Sequence, residues 1–186
     1  MIPALTGILA PHGLATSFES IATVTVGSGG SAGPITFSSI PSTYQHLQIR
    51  WMLRSTAAGY TNQSMAFRIN SSSSASYTYH ALYGDGTNAA ATGGGGYTYA
   101  YFDSIPGAST SSGIFGSGVI DILDIQNTNK NKTIRSLGGF DSNGAGIVQF
   151  DSIAWISTSA ITQLDFYPYT GNFAQYSTIA LFGVKA

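Results

Sequence analysis

The sequence predicts an all-β protein, an antiparallel β-sandwich of the jelly-roll kind, and two observations support this prediction. The first is a period-two alternation of apolar and polar residues over Thr43–Ser55, typical of a strand with one buried face and one outward face. The second is a series of about ten short apolar segments joined by Gly-rich and Ser-rich turns, with no helical apolar repeat between them. We expect residues 1–18 to form an extended N-terminal arm and residues 19–186 a single β-sandwich domain.

The alternating strand is the element around which we expect the sheets to be organised. Its apolar positions, which we expect in the core, are Leu47, Ile49, Trp51 and Leu53. Its outward positions are His46, Gln48, Arg50 and Arg54, with Met52 as an apolar exception. A polar face on a central strand is available to a partner, and arginine is frequent at interfaces. His46, Arg50 and Arg54 are therefore predicted to make contacts with a partner and no structural contacts within the chain; solvated charges on an outer face are the alternative interpretation.

The composition excludes several functional classes. Only 8% of the residues are charged and the net charge is −1, whereas proteins that bind nucleic acid or anionic membranes carry a basic surface. No Cys is present, so disulfides, thiolate metal sites and thiol nucleophiles are excluded. This composition fits folding in a reducing cytoplasm. We expect neither a membrane-spanning segment nor a signal peptide.

The N-terminal segment, residues 1–18, combines helix-breaking and apolar residues. Its prolines and glycines are Pro3, Gly7, Pro11 and Gly13, and its candidate partner-binding side chains are Ile2, Leu5, Ile8, Leu9 and Leu14. Proline prevents a regular helix or a central strand, but the apolar side chains are too many for a solvated tail. We expect an extended arm that lies on another surface, either its own domain or a neighbour, and that becomes ordered only against a neighbouring subunit or a shell; a disordered terminus is the alternative.

The remaining segments predict further strands and one long loop. The expected strands are Ser20–Val26, Ile35–Phe37, Met65–Ile69, Tyr77–Tyr83, Tyr97–Phe102, Gly118–Ile125, Thr133–Leu137, Gly146–Ile156, Gln163–Tyr167 and Tyr176–Val184. The segment Ala89–Gly96 is expected to be a loop, because it consists of small residues and ends in four glycines. Tyr176–Val184 is apolar on both faces, so we expect it to be central in its sheet.

Tyrosines on two of these strands suggest a binding surface. They are Tyr77, Tyr79, Tyr97, Tyr99 and Tyr101. Aromatic side chains beside amide-rich loops are suited to carbohydrate. Cross-strand aromatic pairs also stabilise sheets, and tyrosine is favoured at protein interfaces. We favour an interface or core role for these residues and retain carbohydrate binding as the alternative.

The residues of known catalytic and metal sites are sparse. No pair among His12, His46 and His80 has the spacing of a metal-ligand pair. The loops Asp85–Asn88 and Asp141–Asn143 have oxygen ligands suited to calcium, but they also fit Asx turns. Glu19 is the single glutamate, so few side chains could act as a general acid or a general base. We expect no enzyme activity, no catalytic residue, no metal site and no cofactor.

Several segments resemble small virion structural proteins of tailed bacteriophages, including those of cyanophages. The resemblance rests on Ile35–Arg50, Tyr79–Gly84, Asn127–Arg135 and Gly171–Val184 and extends over most of the chain. Members of this group are head-decoration (cement) proteins, tail-fibre proteins and other structural proteins. The resemblance thus implies a virion location after assembly in the host cytoplasm, and it includes no catalytic motif.

Two functions are consistent with this setting. The first is a capsid cement or decoration protein that binds the major capsid protein or another virion protein on the outer shell and stabilises the capsomers. The second is a tail-fibre or receptor-binding tip domain that recognises host-surface carbohydrate. We expect a homotrimer, because the surface has few charges and the arm needs a surface to lie against. Binding to nucleic acid or membrane is not expected.

Overall fold

A computed structural model of the chain consists of two antiparallel β-sheets whose inner faces share one hydrophobic core. The structure describes residues 17–31 and 33–185, apart from the side chains of Asp103 and Ser104. The described strands are β1 Phe18–Thr25, β2 Ile35–Phe37, β3 His46–Leu53, β4 Asn62–Ile69, β5 Tyr77–Gly84, β6 Ala89–Tyr97, β7 Ala100–Pro106, β8 Gly116–Ile122, β9 Lys132–Asp141, β10 Gly146–Trp155, β11 Leu164–Pro168 and β12 Thr178–Val184.

The two sheets differ in size. The larger has the strand order β1-β12-β3-β8-β9-β10-β5-β6, and the smaller has the order β2-β11-β4-β7. The predicted all-β sandwich is therefore confirmed. The jelly-roll topology is not confirmed by this order, because a jelly roll divides eight strands between its two sheets. No helix long and apolar enough to cross a membrane occurs among the residues described.

Strand β3 has the register that its alternation predicts. Leu47, Ile49, Trp51 and Leu53 are buried. The strand lies between β12 and β8, so it is internal to the sheet as expected. The Trp51 indole lies over two glycines of the neighbouring strands: a Cβ added to Gly118 or to Gly138 would come within 2.5 Å of its ring. Small residues opposite a large aromatic allow the indole to pack at the density of a protein interior.

The smaller sheet contributes aromatic residues to the same core. Phe67 of β4 stacks on Phe102 of β7, with ring centroids 5.3 Å apart, and lies 5.5 Å from Phe166 of β11. All three side chains are buried. Burial of such side chains contributes about 1.5–3 kcal/mol each. One shared core therefore supports the outer faces of both sheets.

Other predictions of strands had mixed outcomes. The predicted strands Gly118–Ile125 and Thr133–Leu137 correspond to β8 and β9, which pair with each other in antiparallel fashion. Strand β12 is internal to its sheet, between edge strand β1 and β3. The predicted loop at Ala89–Gly96 is wrong: these residues form edge strand β6 and pair with β5. The predicted strand Tyr97–Phe102 is also wrong, because a bend at residues 98–99 carries the chain from the larger sheet to the smaller one.

Candidate functional site

A cluster of tyrosines lies on the outer face of the smaller sheet. Residues 98–99 bring the chain from β6 into β7, and this places Tyr99 beside Tyr101, with ring centroids 5.8 Å apart. Tyr167 of β11 lies 5.7 Å from Tyr99, and Tyr169 lies 5.9 Å from Tyr101, both in edge-to-face geometry. Such geometry is the favoured one for aromatic pairs. The four rings therefore form one continuous aromatic surface.

The strand between the tyrosines explains why the rings can approach each other. In the pairing of β11, β4 and β7, Ala66 is directly opposite both Tyr167 and Tyr101. Ala66 is itself buried. A small side chain at this position leaves the space above the strand to the two neighbouring rings. Strand β4 thus makes the aromatic surface possible, although Ala66 at its centre contributes no aromatic ring.

Arg68, two residues further along β4, adds a positive charge to this cluster. Its Cζ lies 3.9 Å from the ring centroid of Tyr99 and 5.7 Å from that of Tyr167. A guanidinium over an aromatic face is attracted by the negative face of the ring. We call the set Arg68, Tyr99, Tyr101, Tyr167 and Tyr169 the tyrosine face.

The carboxylate next to Arg68, that of Asp165, accepts hydrogen bonds from residues other than Arg68. Asp165 is opposite Arg68 in the sheet and is buried. Its carboxylate accepts hydrogen bonds from the hydroxyls of Thr36 and Ser71, both at 2.8 Å, and from the amide of Gln163 at 2.8 and 3.1 Å. A carboxylate satisfied in this way is a fixed part of the sheet. The guanidinium plane of Arg68 is held by the rings.

Two hydroxyl groups of the tyrosine face, those of Tyr101 and Tyr167, are harder to ionise than a free phenol. Burial raises the pKa of Tyr101 above its usual value of 10.0, and the neighbouring Tyr169, Tyr99 and Tyr97 raise it further. Burial also raises the pKa of Tyr167, as does the charge of Asp165. Both groups are therefore protonated at physiological pH. A neutral phenol both donates and accepts hydrogen bonds, so this face offers aromatic area together with polar contacts.

The outer face of the larger sheet has a different chemistry. Four of its side chains are apolar and strongly exposed: Leu82 at 61%, Val148 at 59%, Leu137 at 50% and Phe150 at 42%. Strand pairing places Val119, Leu137, Phe150 and Leu82 side by side across β8, β9, β10 and β5. We call these five residues the aliphatic face.

A row of polar residues borders the aliphatic face. Asp121 of β8 is opposite Arg135 of β9, and its carboxylate accepts a hydrogen bond from the Gln48 amide at 3.0 Å. Arg50 lies beside Val119 in the adjacent strand. Its guanidinium is 5.5 Å from the ring of Phe182. The predicted outward position of Arg50 is confirmed, and its role in partner binding stays a prediction.

Arg54 differs from Arg50, because its side chain is used within the chain. Its guanidinium donates to four backbone carbonyls of the loop after β7, which belong to Ala108, Thr110, Ser111 and Ile114, at distances of 2.7–3.4 Å. Partial burial lowers the pKa of Arg54. The expectation that Arg54 makes no structural contact is therefore wrong. Its position at the end of β3 joins that strand to the loop.

Two other predicted site residues also make internal contacts. Tyr77, for which an interface or core role is predicted, is only 1% exposed, and its hydroxyl accepts a hydrogen bond from the Ile69 amide at 2.8 Å. Tyr77 therefore belongs to the core. The Nδ1 atom of His46 accepts a hydrogen bond from the Asp124 amide at 2.9 Å.

The other predicted aromatics and the arm have different outcomes. Tyr79 is half-buried against Tyr97, with centroids 5.5 Å apart. The arm residues Ile2, Leu5, Ile8, Leu9 and Leu14 lie outside the described part of the chain.

The two candidate calcium loops form Asx turns. The Asp85 carboxylate accepts hydrogen bonds from the amides of Thr87 and Asn88 at 2.9 and 2.6 Å, and these bonds lower its pKa. The Asp141 carboxylate accepts one from the Asn143 amide at 2.8 Å. Within the described residues no group of three His, Cys, Asp or Glu side chains is placed to hold a metal ion.

The prediction from sequence covers two of the five residues of the tyrosine face. It includes Tyr99 and Tyr101 but not Arg68, Tyr167 and Tyr169. One signal was present: Tyr167 and Tyr169 are two residues apart in a strand-like segment, so they share a side. What the sequence does not encode locally is that this side adjoins Tyr99, which is 68 residues earlier than Tyr167.

Comparison of the chain with protein-family models, with curated proteins and with solved structures finds no match.

Proposed function

We propose that the chain is a structural protein of a tailed-bacteriophage virion, and that it acts as a capsid cement or decoration subunit. The observation that carries this proposal is the tyrosine face. Tyrosine and arginine are the residue types that dominate binding energy at protein interfaces. Here they are clustered on the outer side of a rigid sheet, where a flat protein surface can reach them.

The physical properties of the tyrosine face suit a subunit that is made free and attached later. Its rings and guanidinium hold one another in place, so little side-chain entropy is lost when a partner binds. Its hydroxyls are hydrated in the free protein and form hydrogen bonds in the complex. The resemblance to virion structural proteins supplies the class of partner, which is the major capsid protein or another virion protein.

A tail-fibre or receptor-binding tip domain is the second candidate, and one feature of the same face favours it. Tyr169 is strongly exposed at the edge of the cluster, and the Gln163–Asp165 hydrogen-bond network is nearby. Aromatic rings beside amides and carboxylates are a combination that binds sugars. In this case the ligand of the tyrosine face is a host-surface carbohydrate.

Copy number distinguishes the two candidates. Particles of the virus that encodes the chain are purified, and the protein is quantified by mass spectrometry against the major capsid protein. Hundreds of copies per particle are expected for a cement protein. A few copies to a few dozen indicate the tail-fibre role, and absence from purified particles contradicts both.

The contribution of the tyrosine face is tested on the same particles. The double variant Tyr99→Ser with Tyr167→Ser is added to particles that lack the protein, and its occupancy is compared with that of the parent. The matched control is Tyr60→Ser with Tyr176→Ser, two exposed tyrosines outside the cluster. We expect loss of attachment with the first pair only. Equal occupancy of all three proteins would exclude the tyrosine face as the attachment surface.

A further inference from the structure

The aliphatic face exposes apolar side chains to water, so burying it under another segment would be favourable. The tyrosine face differs because its side chains carry polar groups. Its side chains carry no polar group, and four of them are 42–61% exposed in neighbouring positions of one sheet. Soluble proteins rarely leave contiguous apolar patches of this kind in contact with water. Two of these residues, Leu137 and Val148, also border a depression of about 660 Å³ on this face.

The described chain begins at the edge of this same face. Phe18 is the first residue of β1, and its ring stacks on Phe182 with centroids 4.9 Å apart. The guanidinium of Arg50 lies 5.7 Å from the Phe18 ring on the outer side of the sheet. Arg50 is in turn adjacent to Val119, the first residue of the aliphatic face. The chain that precedes Phe18 is therefore attached beside the apolar row.

Residues 1–16 have the composition and the length to cover the aliphatic face. They contain no Asp, Glu, Lys or Arg, and five of them are Ile2, Leu5, Ile8, Leu9 and Leu14. From β1 to β5, the strand of Leu82, is six strand spacings, or about 29 Å at 4.8 Å each. An extended segment of this length spans up to about 50 Å. The segment reaches every residue of the face.

We propose that residues 1–16 lie across the aliphatic face of their own molecule. A tethered segment is present at an effective concentration of about millimolar, which favours its own face over that of a second copy in dilute solution. This differs from the expectation that the arm becomes ordered only on a neighbour or a shell. The proposal does not depend on a virion role, because both partners belong to one chain.

A single introduced thiol tests the proposal, because the chain has no Cys of its own. Ser117 is exposed on the outer side of β8 and borders the same depression as Leu137. In the full-length Ser117→Cys protein, the rate of maleimide labelling is compared between the parent arm and a serine arm. The serine arm is Ile2→Ser, Leu5→Ser, Ile8→Ser, Leu9→Ser and Leu14→Ser. The control arm is Ala4→Ser, Ala10→Ser and Ala15→Ser.

The expected result is labelling at least about fivefold faster with the serine arm, because a face covered about four-fifths of the time exposes its thiol one-fifth of the time. The control arm leaves the rate unchanged. Ser64→Cys, on the outer side of β4 in the other sheet, is labelled equally with all three arms. Equal rates at Ser117→Cys with the parent and serine arms would overturn the proposal. Protection that disappears on dilution would also overturn it, because the cover would then come from a neighbouring copy.

A second measurement keeps the proposal testable if the serine arm prevents folding. The pair Ala4→Cys with Ser117→Cys, in the otherwise parental chain, is oxidised mildly at a concentration where sedimentation shows a monomer. We expect an intramolecular disulfide to form at least about fivefold faster than in the pair Ala4→Cys with Ser64→Cys. Equal rates for the two pairs would show that the arm has no preference for the aliphatic face.

Discussion

The two outer faces of the sandwich have the same backbone architecture but side chains of different chemistry. Both are the outward sides of antiparallel sheets supported by the same core. On the smaller sheet the outward positions hold tyrosines around Arg68, which have aromatic area and polar groups at once. On the larger sheet they hold Leu82, Leu137, Val148 and Phe150, which have no polar group to hydrate. A tyrosine face is compatible with water because its hydroxyl groups can be hydrated, whereas an aliphatic face favours a permanent cover.

The largest effect that we predict tests which side of the larger sheet is the core side. Trp51→Ala should lower the free energy of unfolding by about 3–5 kcal/mol, because a large buried aromatic is removed. Met52→Ala, on the outward side of the same strand and outside the aliphatic face, should change it by no more than about 0.5 kcal/mol, because Met52 is exposed. Urea unfolding of both variants gives the comparison. Similar losses for the two would mean that the faces are assigned wrongly.

A tyrosine in the core should behave unlike those at the surface when the pH is raised. Burial raises the pKa of Tyr77 to about 12 from 10.0, so the folded state favours the neutral phenol. This contribution to stability is complete below pH 10 and is lost as the pH rises toward 12. The loss amounts to about 2–3 kcal/mol for a shift of this size.

Unfolding free energies measured between pH 9 and 12 test this slope against a matched variant. Tyr77→Phe should be less stable at neutral pH, because the hydrogen bond from the Ile69 amide is lost. It should also show a shallower decline above pH 10, since no phenol remains at this position. An identical slope in the variant would mean that other groups cause the alkaline loss.

Removing either of the two arginines of the alternating strand should have different effects on the free energy of unfolding. Arg54→Ala removes a guanidinium that donates to four loop carbonyls, and we expect a loss of about 1.5 kcal/mol, at the low end for charged hydrogen bonds. Arg50→Ala should stay within about 0.5 kcal/mol of the parent, because Arg50 is exposed beside the aliphatic face. Equal melting temperatures for the two variants would contradict a structural role for Arg54.

The smallest effect measures how tightly the tyrosine face is held together. A double-mutant cycle on Arg68→Ala and Tyr99→Ala should give a coupling of about 0.5–1 kcal/mol in the free energy of unfolding, the range of a partly exposed cation–π pair. The matched cycle uses Arg50 and Phe182, whose separation is 5.5 Å instead of 3.9 Å. It should give a smaller value. A coupling free energy of zero between Arg68 and Tyr99 would mean that their contact does not stabilise the tyrosine face.

Local pattern was sufficient wherever a strand has one buried and one outward side. The alternation in β3 predicted the burial of Trp51 and the exposure of Arg50, because successive side chains of a strand point to opposite faces. The same rule does not apply one residue beyond the strand, where Arg54 turns back to the loop carbonyls. Nor does it identify β6, because glycine weakens strands and is read as a loop.

The structure supplies the reason for the glycines of β6. A Cβ added to Gly93 would lie 2.7 Å from the His80 ring, and one added to Gly94 would lie 2.5 Å from the Tyr97 hydroxyl. At these positions the side chains of His80 and Tyr97 occupy the space next to the glycine Cα atoms, and they come there only when β5 and β6 pair. Composition therefore indicates flexibility where the paired strands place side chains close to the backbone.

The fold class, the inward side of β3 and the tyrosines at alternate positions can all be predicted from the amino-acid pattern. Which of those tyrosines form a surface depends on strand pairing, since Tyr77 lies in the core and Tyr167 lies beside Tyr99 although the two are far apart in the chain. Side-chain alternation is a property of each strand alone, whereas the neighbours of a strand are set by how the whole chain buries its apolar surface.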